Sequence, residues 1–334
     1  MTKKPVDKPC LILVNLGSPD EPTTRSVRKY LREFLSDRRV VETHPVLWRP
    51  VLDGIILQVR PKKSAEKYAM VWGEVHPPLV EYTIDQAEAV QRALGDTAEV
   101  RYAMRYGSRG LQAALTSAYE DGYRRVAVFP LYPQYSASSL GTISDEVFRY
   151  GLKARDQFDL RITRSFQTFP PYIEAMAVAL EQSWQQNGRP DFASGDKLVL
   201  SYHGIPQAMA QNGDPYPDEC NQTTEALRVR LGLDESDIVH AYQSKFGPAP
   251  WLLPATIDTV GALGAGGTKR IDVLCPGFVS DCLETLEEIE MLNRETFEEA
   301  GGREFNYIPW GNNKPDWLDA LSDLSKNALA GWIE

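Results

Sequence analysis

Leu11–Pro19, LILVNLGSP, and Leu198–Pro206, LVLSYHGIP, write one pattern twice: an apolar run ending in Gly-x-Pro, 187 positions apart (198 against 11). A repeat of this kind has to be settled before a fold is assigned, because it makes two lobes of one chain. Working outward, Tyr102–Gly107, YAMRYG, matches Tyr242–Gly247, YQSKFG, and Gly73 and Pro77 match Gly213 and Pro217, all at an offset of 140 (242 against 102). A third pair, VFPLY ending at Tyr132 and LCPGF ending at Phe278, again closes an apolar run with proline. Short apolar runs bounded by Gly and Pro read as strands buried on both faces. Helical patterns such as DQAEAVQRAL, SDEVFRYGLKAR and ECNQTTEALRVRL lie between them. Each half therefore alternates strand and helix, and the predicted fold is α/β, two similar Rossmann-like lobes with parallel sheets.

The two offsets differ by 47, so the first half carries an insertion of that size, over about residues 24–68. Within it Val51, Leu52, Ile55, Ile56 and Val59 recur at helical spacing before the chain turns basic at Arg60, Lys62 and Lys63. Such a stripe suits a core-facing helix, and equally a wall for a flat apolar ligand with acidic tails. Phe169-Pro170-Pro171 breaks the chain. The lobes are therefore placed at 1–168 and 169–312, with 313–334 as an amphipathic helix packing back on them.

A formal charge of -10 repels a phosphate backbone, and no long basic run offsets it, so nucleic acid is not an expected partner. The apolar run after MTKKPVDKPC is too short for a secretory signal, and no stretch reaches the ~20 apolar residues of a spanning helix. A cytoplasmic protein is expected, with any membrane contact peripheral at the inner face. Cys10, Cys220, Cys275 and Cys282 form no CxxC pair, which predicts free thiols and neither a disulfide framework nor an iron-sulfur cluster.

Ligands of doubly wound folds bind beyond the carboxyl ends of the strands, so the polar residues that follow the apolar runs are the candidates for chemistry. His203 follows one such run on a strand-to-loop turn, where either a structural histidine or a base fits. After RIDVLCP, residues Asp281, Glu284 and Glu288 fall on one face of a predicted helix. An acidic first turn complements a helix dipole, but two further carboxylates on that face repel one another unless they handle protons or a cation. Tyr132, Tyr135, Tyr216, Lys245 and Trp251 fall near the same strand ends. No GxxxxGK[ST], HExxH or GxSxG is present, which removes the commonest phosphate, zinc-protease and serine-hydrolase readings.

The ordered set LVNLGSPDEP, MRYGS, FPLYPQYSASS, SYHGIP, GDPYPDEC, QSKFGPAPWL, CPGFVSDCLETLEEI and GGREFNYIP resembles the ferrochelatase family from about residue 10 to 310. The resemblance implies a chelatase-like fold with the active-site cleft between the lobes, and insertion of ferrous iron into protoporphyrin IX, the terminal step of haem synthesis. It implies porphyrin and ferrous iron as substrates and no permanently bound cofactor. It puts catalysis and metal handling on His203 and Glu284; Glu288, further along the same acidic face, is expected on a proton or metal path behind them. It assigns the porphyrin wall to Arg105, Tyr106, Tyr132, Tyr216, Gln243, Lys245, Trp251, Phe278 and Asp281, and the propionate side to Arg60, Lys63 and Tyr68. The cysteine two residues before Glu284 is more similar to enzymes using protoporphyrin than to those using coproporphyrin.

The chemistry agrees with the resemblance. Metallation removes two pyrrole protons and needs ligands that release the ion, which favours imidazole and carboxylate over thiolate. Bending the ring to expose its nitrogens draws on binding energy along an apolar wall. Two features depart from the family: His76-Pro77-Pro78 stands where a Gly-Ser-Pro turn is usual, and Ala137 stands where cluster-bearing members have cysteine. The alternatives are a coproporphyrin or other tetrapyrrole chelatase and, from another class, a non-catalytic porphyrin or haem carrier. Retention of both His203 and Glu284 favours the enzyme.

Overall fold

The computed structural model describes residues 4–333. Among the described residues eight strands form two sheets. β1 (Cys10–Asn15), β2 (Glu99–Met104), β3 (Arg125–Pro130) and β4 (Asp159–Ile162) pair in the order β2-β1-β3-β4. β5 (Lys197–His203), β6 (Ile238–Gln243), β7 (Arg270–Leu274) and β8 (Glu304–Tyr307) pair in the order β6-β5-β7-β8. Every pairing is parallel. The two orders are the same, as the repeated motifs predict. β1 is buried along its whole length, which is why its sequence reads as a continuous apolar run rather than an alternating one; β7 is equally buried but carries Arg270 and Asp272.

The hydrogen-bond register refines the repeat. Leu13 stands opposite Tyr102, whereas Leu200, its counterpart, stands opposite His240. Backbone equivalence thus pairs Tyr102 with His240, two residues short of the Tyr102 and Tyr242 match suggested by side-chain types. Arg105 accordingly corresponds to Gln243.

The chain divides into two compact units, Met1–Ser165 with Leu321–Glu334, and Phe166–Ala320. The C-terminal helix Pro315–Ala328 thus begins in the second unit and ends in the first. In the first unit the insertion is mostly helical: Thr24–Leu35, Pro45–Val51 after a nine-residue turn segment, a π-helical turn Leu52–Ile56, and Leu57–Met70. Thr23 caps the first of these by accepting from the Ser26 N–H. Pro50 has no N–H to give the ladder, and the π-helical turn follows directly. The turn splits the apolar stripe. Leu52 and Leu57 face inward, while Val46, Leu47, Ile55 and Val59 are 73%, 68%, 58% and 62% exposed. The stripe is therefore an outer surface for most of its length, not a core face.

In the second unit the middle of β7 buries an ion pair. The Asp272 carboxylate accepts from Arg270 Nε at 2.9 Å and Nη2 at 3.1 Å, from Trp184 Nε1 at 2.7 Å and from Asn306 Nδ2 at 2.9 Å. Each donor offsets part of the desolvation of the charge.

β6 half-buries a histidine. The His240 ring stacks on Tyr202 at 4.7 Å and meets Tyr242 edge-on at 4.9 Å, and its Nδ1 lies 2.9 Å from Thr224 Oγ1. Its Nε2 is buried with no hydrogen-bond partner. Burial lowers its pKa to about 4. The folded pKa lies below that of the unfolded chain, about 6.5, so its contribution to stability is complete above 6.5 and is lost as pH falls toward 4. This group alone should cost about 2 kcal/mol between pH 7 and pH 5. His240→Phe should remove that part of the pH slope of the urea midpoint, and a slope identical to that of the parent protein would contradict the assignment.

Candidate active site

In each sheet the chain runs outward to one neighbour of the first strand and then crosses to the other, which makes a topological switch point between β1 and β3 and another between β5 and β7. The second carries the candidate acid-base residues. His203 ends β5, and the segment Cys275–Leu283 leaves β7 and enters a ten-residue π-helix, Glu284–Asn293. π-Helical geometry is rare and gathers at functional sites.

His203 is half-buried, and its Nδ1 lies 2.6 Å from the Gly204 carbonyl oxygen. A carbonyl can only accept, so Nδ1 carries the proton and the neutral ring keeps a lone pair on Nε2. Glycine at 204 is required by close approach: a Cβ there would lie 2.9 Å from the Gln243 carbonyl oxygen and 3.2 Å from the Trp251 ring. The Phe278 ring is 6.4 Å from that of His203. Trp251 is held by its own N–H donating to the Phe246 carbonyl at 2.8 Å.

Gln243 is only 3% exposed and ties the ends of three segments together. Its Oε1 accepts from Ser201 Oγ at 2.8 Å, and its Nε2 donates to the main-chain oxygen of Glu284 at 2.8 Å. Next to it, Ser244 donates its N–H to Glu288 Oε1 at 2.7 Å and its hydroxyl to Oε2 at 2.5 Å. Burial raises the pKa of Glu288, as does the charge of Glu284, while the Ser244 hydrogen bonds and His203 oppose the rise. Glu288 thus lies within the electrostatic reach of both candidate catalytic residues.

Asp281 does not share this arrangement. It precedes the π-helix, and its carboxylate accepts from Tyr307 O–H at 2.5 Å, Thr285 Oγ1 at 2.7 Å and Asn312 Nδ2 at 2.6 Å. The predicted ladder of three acids is therefore two acids on the π-helix and one anchor in front of it. Tyr216 is buried in contact with Cys220, and Lys245 is exposed.

In the first unit Arg105 and Tyr106 are buried, with the guanidinium 4.3 Å above the phenol ring. Arg105 donates to Asp37 at 2.5 Å and to Thr142 Oγ1 at 2.6 Å, and Tyr106 O–H donates to Asp37 at 3.0 Å. Burial would raise the Asp37 pKa, yet hydrogen bonds from Thr142, the Arg39 N–H and Tyr106, with the Arg105 charge, hold it below its ordinary value. Sequence reading missed Asp37, which no motif marks. The cluster borders a cavity of about 960 Å³ that Arg32, Arg38, Arg39, Asp145 and Arg149 also line. Tyr132 is partly buried against the core of the first sheet. Tyr68 meets Trp72 edge-on at 6.2 Å, Arg60 is half-buried, and Lys63 is exposed.

The family model for Ferrochelatase matches residues 8–329. The chain is 47% identical to a ferrochelatase from Bordetella pertussis over 325 residues, covering 96% of this chain and 88% of the relative. It is 44% identical to ferrochelatases from Chromobacterium violaceum (97% and 89% covered) and Neisseria meningitidis serogroup C (98% and 95% covered). Among solved structures, SirB from Bacillus subtilis with Fe3+ has a TM-score of 0.56 at 12% identity, with 97% of this chain and 96% of that one covered. The sirohydrochlorin chelatase SirB from Bacillus subtilis subspecies spizizenii in complex with cobalt has a TM-score of 0.53 at 11% identity, with 97% of each chain covered. At such identity these two establish the fold alone. The family match along nearly the whole chain, with relatives of this identity, shows that the protein belongs to the ferrochelatase family.

Proposed function

We propose that this ferrochelatase inserts ferrous iron into protoporphyrin IX, with His203 as the base that takes pyrrole protons and Glu284 and Glu288 as the acids that pass protons or metal onward. Iron insertion into a porphyrin, in haem biosynthesis, is the activity of the family. The observation that carries the division of labour is the His203 ring, whose Nδ1 proton is tied to the Gly204 carbonyl and whose Nε2 lone pair is thereby left for a proton or a metal. The reaction exchanges two N–H protons for one divalent ion, so each turnover releases two protons. One imidazole takes one of them, and carboxylates of the π-helix give the other a route. Glu288, raised by burial, is suited to bind a proton transiently.

Glu284→Gln keeps the shape and removes the charge. It should lower kcat by about 10²- to 10³-fold with little change in porphyrin affinity, and Glu288→Gln should lower it by no more than about tenfold. Anaerobic turnover with ferrous iron checks this. A larger loss in Glu288→Gln than in Glu284→Gln would reverse the proposed order.

The preference for protoporphyrin is supported by the outer apolar stripe from Val46 to Val59, which suits a substrate with two acidic tails better than one with four. Arg60 and Lys63, just beyond the stripe, are proposed to hold those tails. The stripe, flanked by Arg49, Lys62 and Lys63, is also proposed to give a peripheral membrane contact at the cytoplasmic face. No helix among the described residues is long and apolar enough to cross a membrane. No iron-sulfur cluster is proposed either. Burial raises all four thiols, Cys10 to about 12, and Cys10 lies in the first unit while the other three lie in the second.

A further inference from the structure

Among the described residues only Ser244 and Asn312 have positive φ without being glycine, at 67° and 61°. Such backbone is unfavourable for any side chain, and it persists where the surroundings hold it, commonly at functional sites. Both residues spend that strain on the same acidic segment. Asn312 exchanges two hydrogen bonds with Asp281, accepting from its N–H at 2.7 Å and donating to its carboxylate at 2.6 Å. Ser244 places its N–H and its hydroxyl on the two oxygens of Glu288. Gln243, the last residue of β6, grips the main chain of Glu284 from the adjacent position.

We propose that Ser244 is a positioning residue for iron insertion: its left-handed backbone and its hydroxyl together clamp Glu288 in the orientation in which it serves Glu284 and His203. The inference rests on the role proposed above for Glu288. Three chain segments besides Ser244 present charged or ionisable groups to this carboxylate. His203 comes from the end of β5, Cys275 from the end of β7, and Glu284 from the turn before it on the π-helix. None of them offers it a hydrogen bond as short as those from Ser244. The clamp also explains why glycine does not stand at 244. Glycine would adopt this φ without strain and keep the N–H, but it would give up the hydroxyl.

That trade makes the test. Ser244→Gly relieves the backbone and removes the hydroxyl, whereas Ser244→Ala removes the hydroxyl and keeps the strain. If the role is positional, both variants lose kcat by about tenfold at unchanged porphyrin KM, the worth of one hydrogen bond to a charged group. Their thermal midpoints should nevertheless separate, with Ser244→Gly the higher. A merely structural serine would make activity follow the midpoint. Should Ser244→Ala fail to fold, Ser244→Gly alone decides, and wild-type kcat in it overturns the proposal. Repeating Ser244→Gly in a Glu288→Gln background separates this inference from the one beneath it. The serine effect should vanish there. If it persists, Ser244 acts through another group and the clamp is wrong; if Glu288→Gln itself keeps full kcat, the role of Glu288 has failed and the clamp fails with it.

Discussion

His203→Ala is expected to abolish iron insertion while porphyrin binding survives. The imidazole sits at the carboxyl end of β5 with its Nδ1 proton held by a main-chain carbonyl, so truncation removes the one uncharged nitrogen lone pair that this turn supplies. Loss of a general base costs about 10²- to 10⁴-fold in rate. Affinity for a large planar ligand comes mainly from apolar and aromatic area, to which a half-buried imidazole adds little. Turnover under anaerobic conditions with ferrous iron should therefore collapse, while porphyrin fluorescence titrates with nearly the parental midpoint. Near wild-type turnover would remove His203 from the mechanism. The Gly204 backbone should stay in place in the variant, because its N–H donates to the Gln243 carbonyl at 2.8 Å independently of the ring.

The largest effect on stability is expected from Asp272→Ala. Four donor atoms converge on this fully buried carboxylate, and removing it leaves the buried Arg270 charge with only a 3.7 Å ion pair to the exposed Glu304 and the Asn187 and Gly188 main-chain oxygens. Breaking one side of such a pair costs about 3–5 kcal/mol. For a unit of this size that lowers the thermal midpoint by about 10 °C. Asp272 lies in mid-strand, three residues before Cys275 and the segment that leads to the proposed catalytic residue Glu284, so the activity of the molecules that remain folded should be close to normal. A midpoint shift below 2 °C would show that the pair contributes little net stability.

The strong strands of both sheets could be read from the sequence because strands buried on two faces must be apolar throughout, and LILVN and LVLSY say so directly. The edge strands β4, DLRI, and β8, EFNY, carry no such signal, since they are four residues long and partly exposed. Asp272 shows the opposite failure, a charge inside a core strand whose partners Trp184 and Asn306 lie 88 and 34 residues away. The insertion was legible as helix, with its stripe open between a core face and a ligand wall. A period of 3.6 was assumed across Leu52–Ile56, where the chain instead makes a π-helical turn and turns the stripe outward. The same assumption put Asp281 in line with Glu284 and Glu288, although its partners Tyr307 and Asn312 draw it to a different task. Glycine spacing exposed the turn after His203, because Gly204 answers a steric demand that few other residues meet. Ser244 and Asp37 left no trace, since a serine in a loop and an aspartate beside two arginines are both commonplace in sequence and acquire meaning only from what they touch.

The most direct measurement is anaerobic mixing of the purified protein with ferrous iron and either protoporphyrin IX or coproporphyrin, following the absorbance change as free base becomes metallated. Rapid, catalytic conversion of protoporphyrin, with coproporphyrin slower, is the predicted result. Tight binding of either porphyrin with no metallation, or metallation of coproporphyrin alone, would contradict it.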